Sequence, residues 1–333
     1  MRGRELKEIT RFFSILFIVL ISAAGLFFIF FGSTEFTVGG LVYLKTDERR
    51  VDYTQEIFIV PTGHTENLTC VIYIPPATPY QKVADNIIPF VRVECVGVDK
   101  FELKTEETRG GNRVLIAKFS NCKEYSAITI RVKLVIITSS FSVRPHKPFN
   151  SGIAENELFL SPDLPAGVQF DEQVLLLAKE LRGENRWDTS MKAAEWVAKN
   201  IKYKITSKER KIAGTTLKDG YGDCDDMAAL LTTILRANGV PARIAIGLSL
   251  HQDSSFHAWT ECYTEYGWVP ADTTMNYLYF GGLTANHIKI YHECSSEINF
   301  LVDQKNLITA GPTAYVCWHA GKQPLVRWNI AAK

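Results

Sequence analysis

An unbroken apolar run, Phe12–Gly32, opens the chain: 21 consecutive residues without a charge. As a helix rising about 1.5 Å per residue it would be roughly 30 Å long, the thickness of a bilayer's hydrocarbon core. Residues 12–32 are therefore expected to form a transmembrane helix. A cleaved signal peptide is the rival reading, with small residues at Ser22-Ala23-Ala24, but it would leave the apolar segment Leu26–Phe31 on the mature end. Arg2, Arg4, Lys7 and Arg11 precede the run, and no Lys or Arg follows it until Lys45. That asymmetry predicts a single-pass protein of the cell membrane, with residues 1–11 cytoplasmic and the bulk extracytoplasmic.

Beyond the run the pattern changes to short alternating segments rich in Val, Ile, Thr and aromatics. Glu56–Val60, Leu68–Ile74, Val91–Val96, Val114–Phe119 and Ile128–Ile137 are separated by Pro61-Thr-Gly, Pro75-Pro and Gly110-Gly-Asn. Period-two alternation broken by Gly and Pro predicts strands, and about seven of them at this spacing predict an antiparallel, sandwich-like β domain over 36–143. The stretch 144–160 interrupts the pattern and is expected to be a linker. After Ser161-Pro-Asp the period becomes helical: Val174, Leu177, Ala178 and Leu181 share one face, and a second helix is expected from an Asp188 cap to about Ile201. The charged run Lys202–Lys211 reads as a solvated loop. The fold class expected is thus α+β, with a mixed domain at 161–280 and a C-terminal β-rich extension at 281–333.

Composition narrows the partners. Among 333 residues, 37 Lys and Arg stand against 36 Asp and Glu, a formal net charge of +1, so no basic field exists to neutralise a phosphate backbone. Nucleic acid is not an expected partner. The cysteines number seven, an odd count that leaves at least one outside any internal disulfide in a compartment where thiols can pair.

The chemistry concentrates in Asp219-Gly-Tyr-Gly-Asp-Cys-Asp-Asp-Met, followed by Ala228–Arg243. Gly220 and Gly222 permit a tight turn, Asp223 is a good N-cap, and Asp226 three residues on can close a capping box. A helix is therefore predicted to begin at Cys224. Met227, Leu230, Leu231, Ile234 and Leu235 bury it, and Gly239 and Pro241 end it. A thiolate in the first turn is stabilised by free backbone N–H groups and by the positive end of the macrodipole. Asp223, Asp225 and Asp226 oppose that charge, so a cationic partner is required. Downstream, a strand holding His257, Trp259, Glu261 and Tyr263 on one face precedes a turn at Gly267 and a strand leading to Asp272. The hairpin brings Asp272 near His257, which can then pair with Cys224 while Asp272 holds the second ring nitrogen. Trp259 and Trp268 are expected to pack beneath the site, and Cys262, on the opposite strand face, in the core. His251 and His287 read as ordinary surface residues.

Gly-Asp-Cys224-Asp-Asp at a helix start, His257-Ala-Trp and Gly-Trp-Val-Pro-Ala-Asp272 together resemble the transglutaminase-like superfamily of papain-like Cys-His-Asp enzymes. Trp196-Val-Ala-Lys-Asn-Ile-Lys-Tyr203 and Gly-Val-Pro-Ala-Arg243 fit the same setting, and the likeness spans about Ser161 to Tyr279. The resemblance implies a transglutaminase-like (papain-like) fold for 161–280 and catalytic residues Cys224, His257 and Asp272. It also implies a protease, amidase or acyltransferase that forms an acyl-enzyme on peptide or side-chain amides of a protein or peptide substrate. The Cys224 N–H would be one oxyanion donor and Tyr221 a candidate for the second. No cofactor is implied, and calcium dependence is not expected. The alternative is a non-catalytic ectodomain with a binding or cell-surface structural role. Separately, His292-Glu-Cys294 and Cys317-Trp-His319 are i, i+2 pairs that two adjacent strands could offer to zinc, with a Cys294–Cys317 disulfide as the simpler reading.

Overall fold

The computed structural model describes residues 34–148, 153–161, 167–205, 209–251, 254–274, 280–294, 307–318 and 322–333. The expected transmembrane helix at 12–32 and the cytoplasmic segment 1–11 lie outside the described residues. No helix among the described residues is long and apolar enough to cross a membrane.

The β content dominates. Two long strands, Leu41–Val60 and Ala127–Pro145, pair antiparallel along almost their whole length. Their alternation buries Val51, Tyr53, Ile57 and Ile59 on one side, with Ile128, Ile130 and Val132 beside them. The polar stretch between Lys45 and Arg50 carries no such alternation, yet it stays in the strand through cross-strand pairing, with a register shift between Lys45 and Glu48. A seven-stranded sheet forms around this pair, adding Thr34–Val38, Gln81–Lys82, Val91–Val96, Gly282–Leu283 and Leu325–Ala332. A five-stranded sheet runs in the order Leu307–Ala310, Ala314–Trp318, Thr65–Tyr73, Arg113–Cys122, Lys100–Glu107. Both sheets share one apolar core.

Four α-helices occur among the described residues: Glu172–Glu180, Arg186–Asn200, Ala213–Asp219 and Cys224–Ala237. The second begins earlier than the sequence suggests, because the Asn185 side chain, rather than Asp188, caps it by accepting from the Asp188 N–H at 2.8 Å. Glu265 supports the same end by accepting from the N–H groups of Arg186 and Trp187 at 2.6 and 3.1 Å. The Cys224 helix packs on an antiparallel four-stranded sheet ordered Gly267–Ala271, Ser255–Thr264, Ala242–Ser249, His287–His292. Leu230, Leu231, Ile234 and Leu235 are fully buried there, each contributing about 1.5–3 kcal/mol. The segment beyond residue 281 supplies strands to the seven-, five- and four-stranded sheets, so these three are closed by the same stretch of chain.

Candidate active site

Local chemistry sets the position of the sulfur. Gly220, at φ 69°, ends the preceding helix in the left-handed region. The Asp223 carboxylate accepts from the Asp226 N–H at 3.3 Å, and Asp226 accepts in return from the Asp223 N–H at 3.2 Å, so the predicted capping box is present. Asp226 is fully buried and also accepts from the Lys211 N–H at 2.7 Å. Cys224 is therefore the first residue of a helix whose start is pinned from three directions. One turn later the Thr260 hydroxyl donates to the Ala228 carbonyl at 3.1 Å, fixing the strand that carries His257 against this same end of the helix.

Strand register does the rest. Thr260 pairs with Ala271, so Asp272 leaves its strand beside the start of Ser255–Thr264 and meets His257: Nε2 to Oδ2 is 2.8 Å. Cys224 is the other neighbour that raises the pKa of the same imidazole, and with Nε2 committed to Asp272 the nitrogen left for the sulfur is Nδ1. Cys224, half-buried, and His257 open on a cleft of about 230 Å³ walled by Ile246, Phe256 and Tyr291. Asp272 is closed off from solvent, and its Oδ1 accepts from the N–H and hydroxyl of Thr274 at 3.1 and 2.6 Å. Burial alone would raise the Asp272 pKa, but hydrogen bonds from His257 and His287 hold it well below the usual carboxylate range. Burial would likewise lower His257, yet its hydrogen bonds to Asp272 and Cys224 lift it from 6.5 to about 10. The cation that the acidic helix start requires is thus the His257 imidazolium.

Residues 177–273, which include all three of these side chains, match the family model described as the transglutaminase-like superfamily. The chain carries a transglutaminase-like domain. Among solved structures, a candidate cysteine protease from Cytophaga hutchinsonii aligns with TM-score 0.56 and 16% identity, over 87% of this chain and 92% of its own. The periplasmic domain of TgpA from Pseudomonas aeruginosa aligns with TM-score 0.37 and 14% identity, covering 72% of each chain. LapG of Legionella pneumophila gives 0.29 and 18%, over 40% of this chain and 92% of its own. The Cytophaga structure shares the fold. No curated protein matches the chain.

Around the transglutaminase-like site the structure redistributes several roles. Tyr221 does not line the cleft; its ring lies beneath the ammonium groups of Lys211 and Lys204, 3.9 and 4.6 Å from the centroid. Tyr203 is not a lining residue either, but it lies near enough to feel the charge of Cys224: it pairs with Gly222 in a two-residue parallel ladder, one position on from Tyr221. Burial, then the charges of Cys224, Asp223, Asp272 and Asp225, raise its pKa, so its hydroxyl stays a proton donor. Arg210 belongs to the run expected to be solvated, but its side chain is only 11% exposed, clamped by both Glu293 oxygens at 2.7 and 2.9 Å and 3.6 Å from Asp225. It lines the cleft and offsets the acidic helix start. Cys262 is core as expected, its thiol donating to the Val269 carbonyl at 3.4 Å.

The described residues do not bring the two zinc-candidate motifs together. The strand His287–His292 pairs with Ala242–Ser249, whereas Ala314–Trp318 pairs with Thr65–Tyr73, so the two motifs sit in different sheets. His292 spends its Nε2 on the Gly110 carbonyl at 2.7 Å, and Cys317 lies in the core facing Cys70; His319 is outside the described residues. None of the seven cysteines forms a disulfide, which removes the Cys294–Cys317 bridge as well. The group of metal-ligating side chains that does converge among the described residues is His257, Asp272 and His287, within 4.8 Å of one another. His287 is not the surface residue its sequence context suggests. It is 2% exposed.

Proposed function

We propose that this chain is a membrane-anchored, extracytoplasmic cysteine enzyme that acts on peptide or side-chain amides of a protein or peptide substrate. The observation that carries the reading is the continuous line from the Cys224 sulfur through His257 to Asp272, with the sulfur facing a cleft. Cys224 gives up its proton to the His257–Asp272 pair, and the imidazolium stands beside the sulfur. The sulfur attacks the amide carbonyl carbon, and the oxyanion that forms is met by the Cys224 N–H and by the Tyr203 hydroxyl, which takes the place expected for Tyr221. His257 then donates its proton to the leaving amine nitrogen as the C–N bond breaks, leaving a thioester. For deacylation His257 takes a proton from the incoming water or amine, and Asp272 keeps the ring oriented throughout. The apolar run at 12–32 and the charge bias around it support the anchored, outward-facing placement.

Iodoacetamide labelling near neutral pH, mapped by mass spectrometry, tests this. The adduct should appear on Cys224, vanish in Cys224→Ala with folding intact, and slow sharply in His257→Ala. A wild-type Cys224 that is inert, or that reacts equally without His257, refutes the enzyme and leaves a non-catalytic ectodomain.

A further inference from the structure

Asp272 Oδ2 accepts from two imidazoles. His257 Nε2 is at 2.8 Å and His287 Nε2 at 3.1 Å, and the His287 side chain is only 1% exposed. His287 sits at the first position of its strand, opposite Ser249, with its N–H on the Thr284 carbonyl at 3.0 Å. Its Nδ1 is 3.1 Å from the Thr284 hydroxyl. Nδ1 is also 3.3 Å from the Thr284 carbonyl, so the proton on Nε2 is set by the atom it faces, an Asp272 carboxylate oxygen that can only accept. The titratable and charged groups about it are Asp272, His257, His251 and Arg49, the last held by Asn286 Oδ1 at 2.5 Å.

We propose that His287 is a positioning residue for the acyl-enzyme chemistry: its Nε2–H fixes the Asp272 carboxylate and shares its charge while His257 cycles between imidazolium and imidazole. The reason lies in the proton's path. When His257 gives its Nδ1 proton to the leaving amine, Asp272 becomes a buried carboxylate facing a neutral ring. Two donors from Thr274 on Oδ1 and the His287 N–H on Oδ2 remain, so the anion stays satisfied and does not turn toward other partners. Sharing Oδ2 also weakens the pull of Asp272 on the His257 proton, which must leave in every turnover.

This inference rests on the acyl-enzyme reading, and the test separates the two. His287→Gln keeps an amide N–H near the Nε2 position, whereas His287→Asn, a shorter polar side chain, does not reach Asp272. Both are compared with wild type in the full chain by the pH profile of Cys224 alkylation. His287→Asn should move the alkaline limb upward by about one pH unit, because an unshared Asp272 holds the imidazolium more tightly. His287→Gln should restore the wild-type limb. A limb that does not move upward in His287→Asn, or a Gln variant that behaves like Asn, overturns the role of His287 while leaving the enzyme standing. A wild-type profile that does not depend on His257 overturns both. Should the variants not fold, ¹⁵N-histidine spectra of the wild type decide: His287 protonated on Nε2 at pH 8 is expected, and protonated on Nδ1 alone refutes the proposal.

Discussion

Asp272→Asn removes the charge behind His257 while leaving an acceptor for Thr274, so it isolates one electrostatic contribution. The rise of His257 from 6.5 to about 10 corresponds to about 5 kcal/mol in favour of the imidazolium, achieved against burial. The His257 side chain is only 12% exposed, so solvent screening takes little of this away. Asp272 and Cys224 share the effect; a close carboxylate ordinarily accounts for about two pH units. The substitution should therefore bring the alkaline limb of Cys224 alkylation from near pH 10 to about pH 8. Turnover should fall about a hundredfold or more, because the amide can also hold the ring in the wrong tautomer. Stability carries the same sign. The folded value of His257 lies above the unfolded one, so its contribution is complete below about pH 6.5 and disappears as pH rises toward 10. Urea unfolding of Asp272→Asn should thus differ from wild type most below pH 6.5. An alkaline limb that stays near pH 10 in this variant would show that the ring's charge is set elsewhere.

Further predictions concern the framework of the site. Glu261 is buried between Lys289 and Arg243, at 2.5 and 2.7 Å, and their charges overcome burial to hold it near pKa 2. Glu261→Gln leaves two buried cations and should cost about 3–5 kcal/mol in urea unfolding. Lys289→Met should cost less than about 1 kcal/mol, since burial and Arg243 already pull Lys289 down to about 8 and the Arg243–Glu261 pair survives. Equal losses in the two variants would contradict this. Gly247 has no room for a side chain: an added Cβ would lie 1.8 Å from the Ile288 carbonyl oxygen and 3.0 Å from the Trp259 ring. Gly247→Ala should lower stability by at least about 2 kcal/mol and slow Cys224 alkylation, because the strand it pushes away carries His287.

The amino-acid sequence alone determined what depends on neighbours a few residues apart. The cap at Asp223, the return bond from Asp226, the buried stripe from Met227 to Leu235 and the tight turn at Gly267 are all encoded within one or two turns of chain, so Cys224 and the His257–Asp272 hairpin were legible. Only the tertiary structure decided what sits behind and beside them. His287 stands in His-Ile-Lys-Ile-Tyr-His, an ordinary alternating strand, and nothing local says that it pairs with Ala242–Ser249 and turns its ring to Asp272. Arg210 reads as one charge in a solvated run until Glu293, 83 residues away, clamps it. Tyr203 and Tyr221 carry the same side chain, yet across a parallel ladder one comes under the charges of Cys224 and Asp272 and the other lies beneath two lysines. Backbone hydrogen bonding and side-chain periodicity act locally and leave a pattern in the sequence. Strand pairing between distant segments is chosen by which apolar faces and charges can be satisfied together, and that choice exists only once the sheets have assembled.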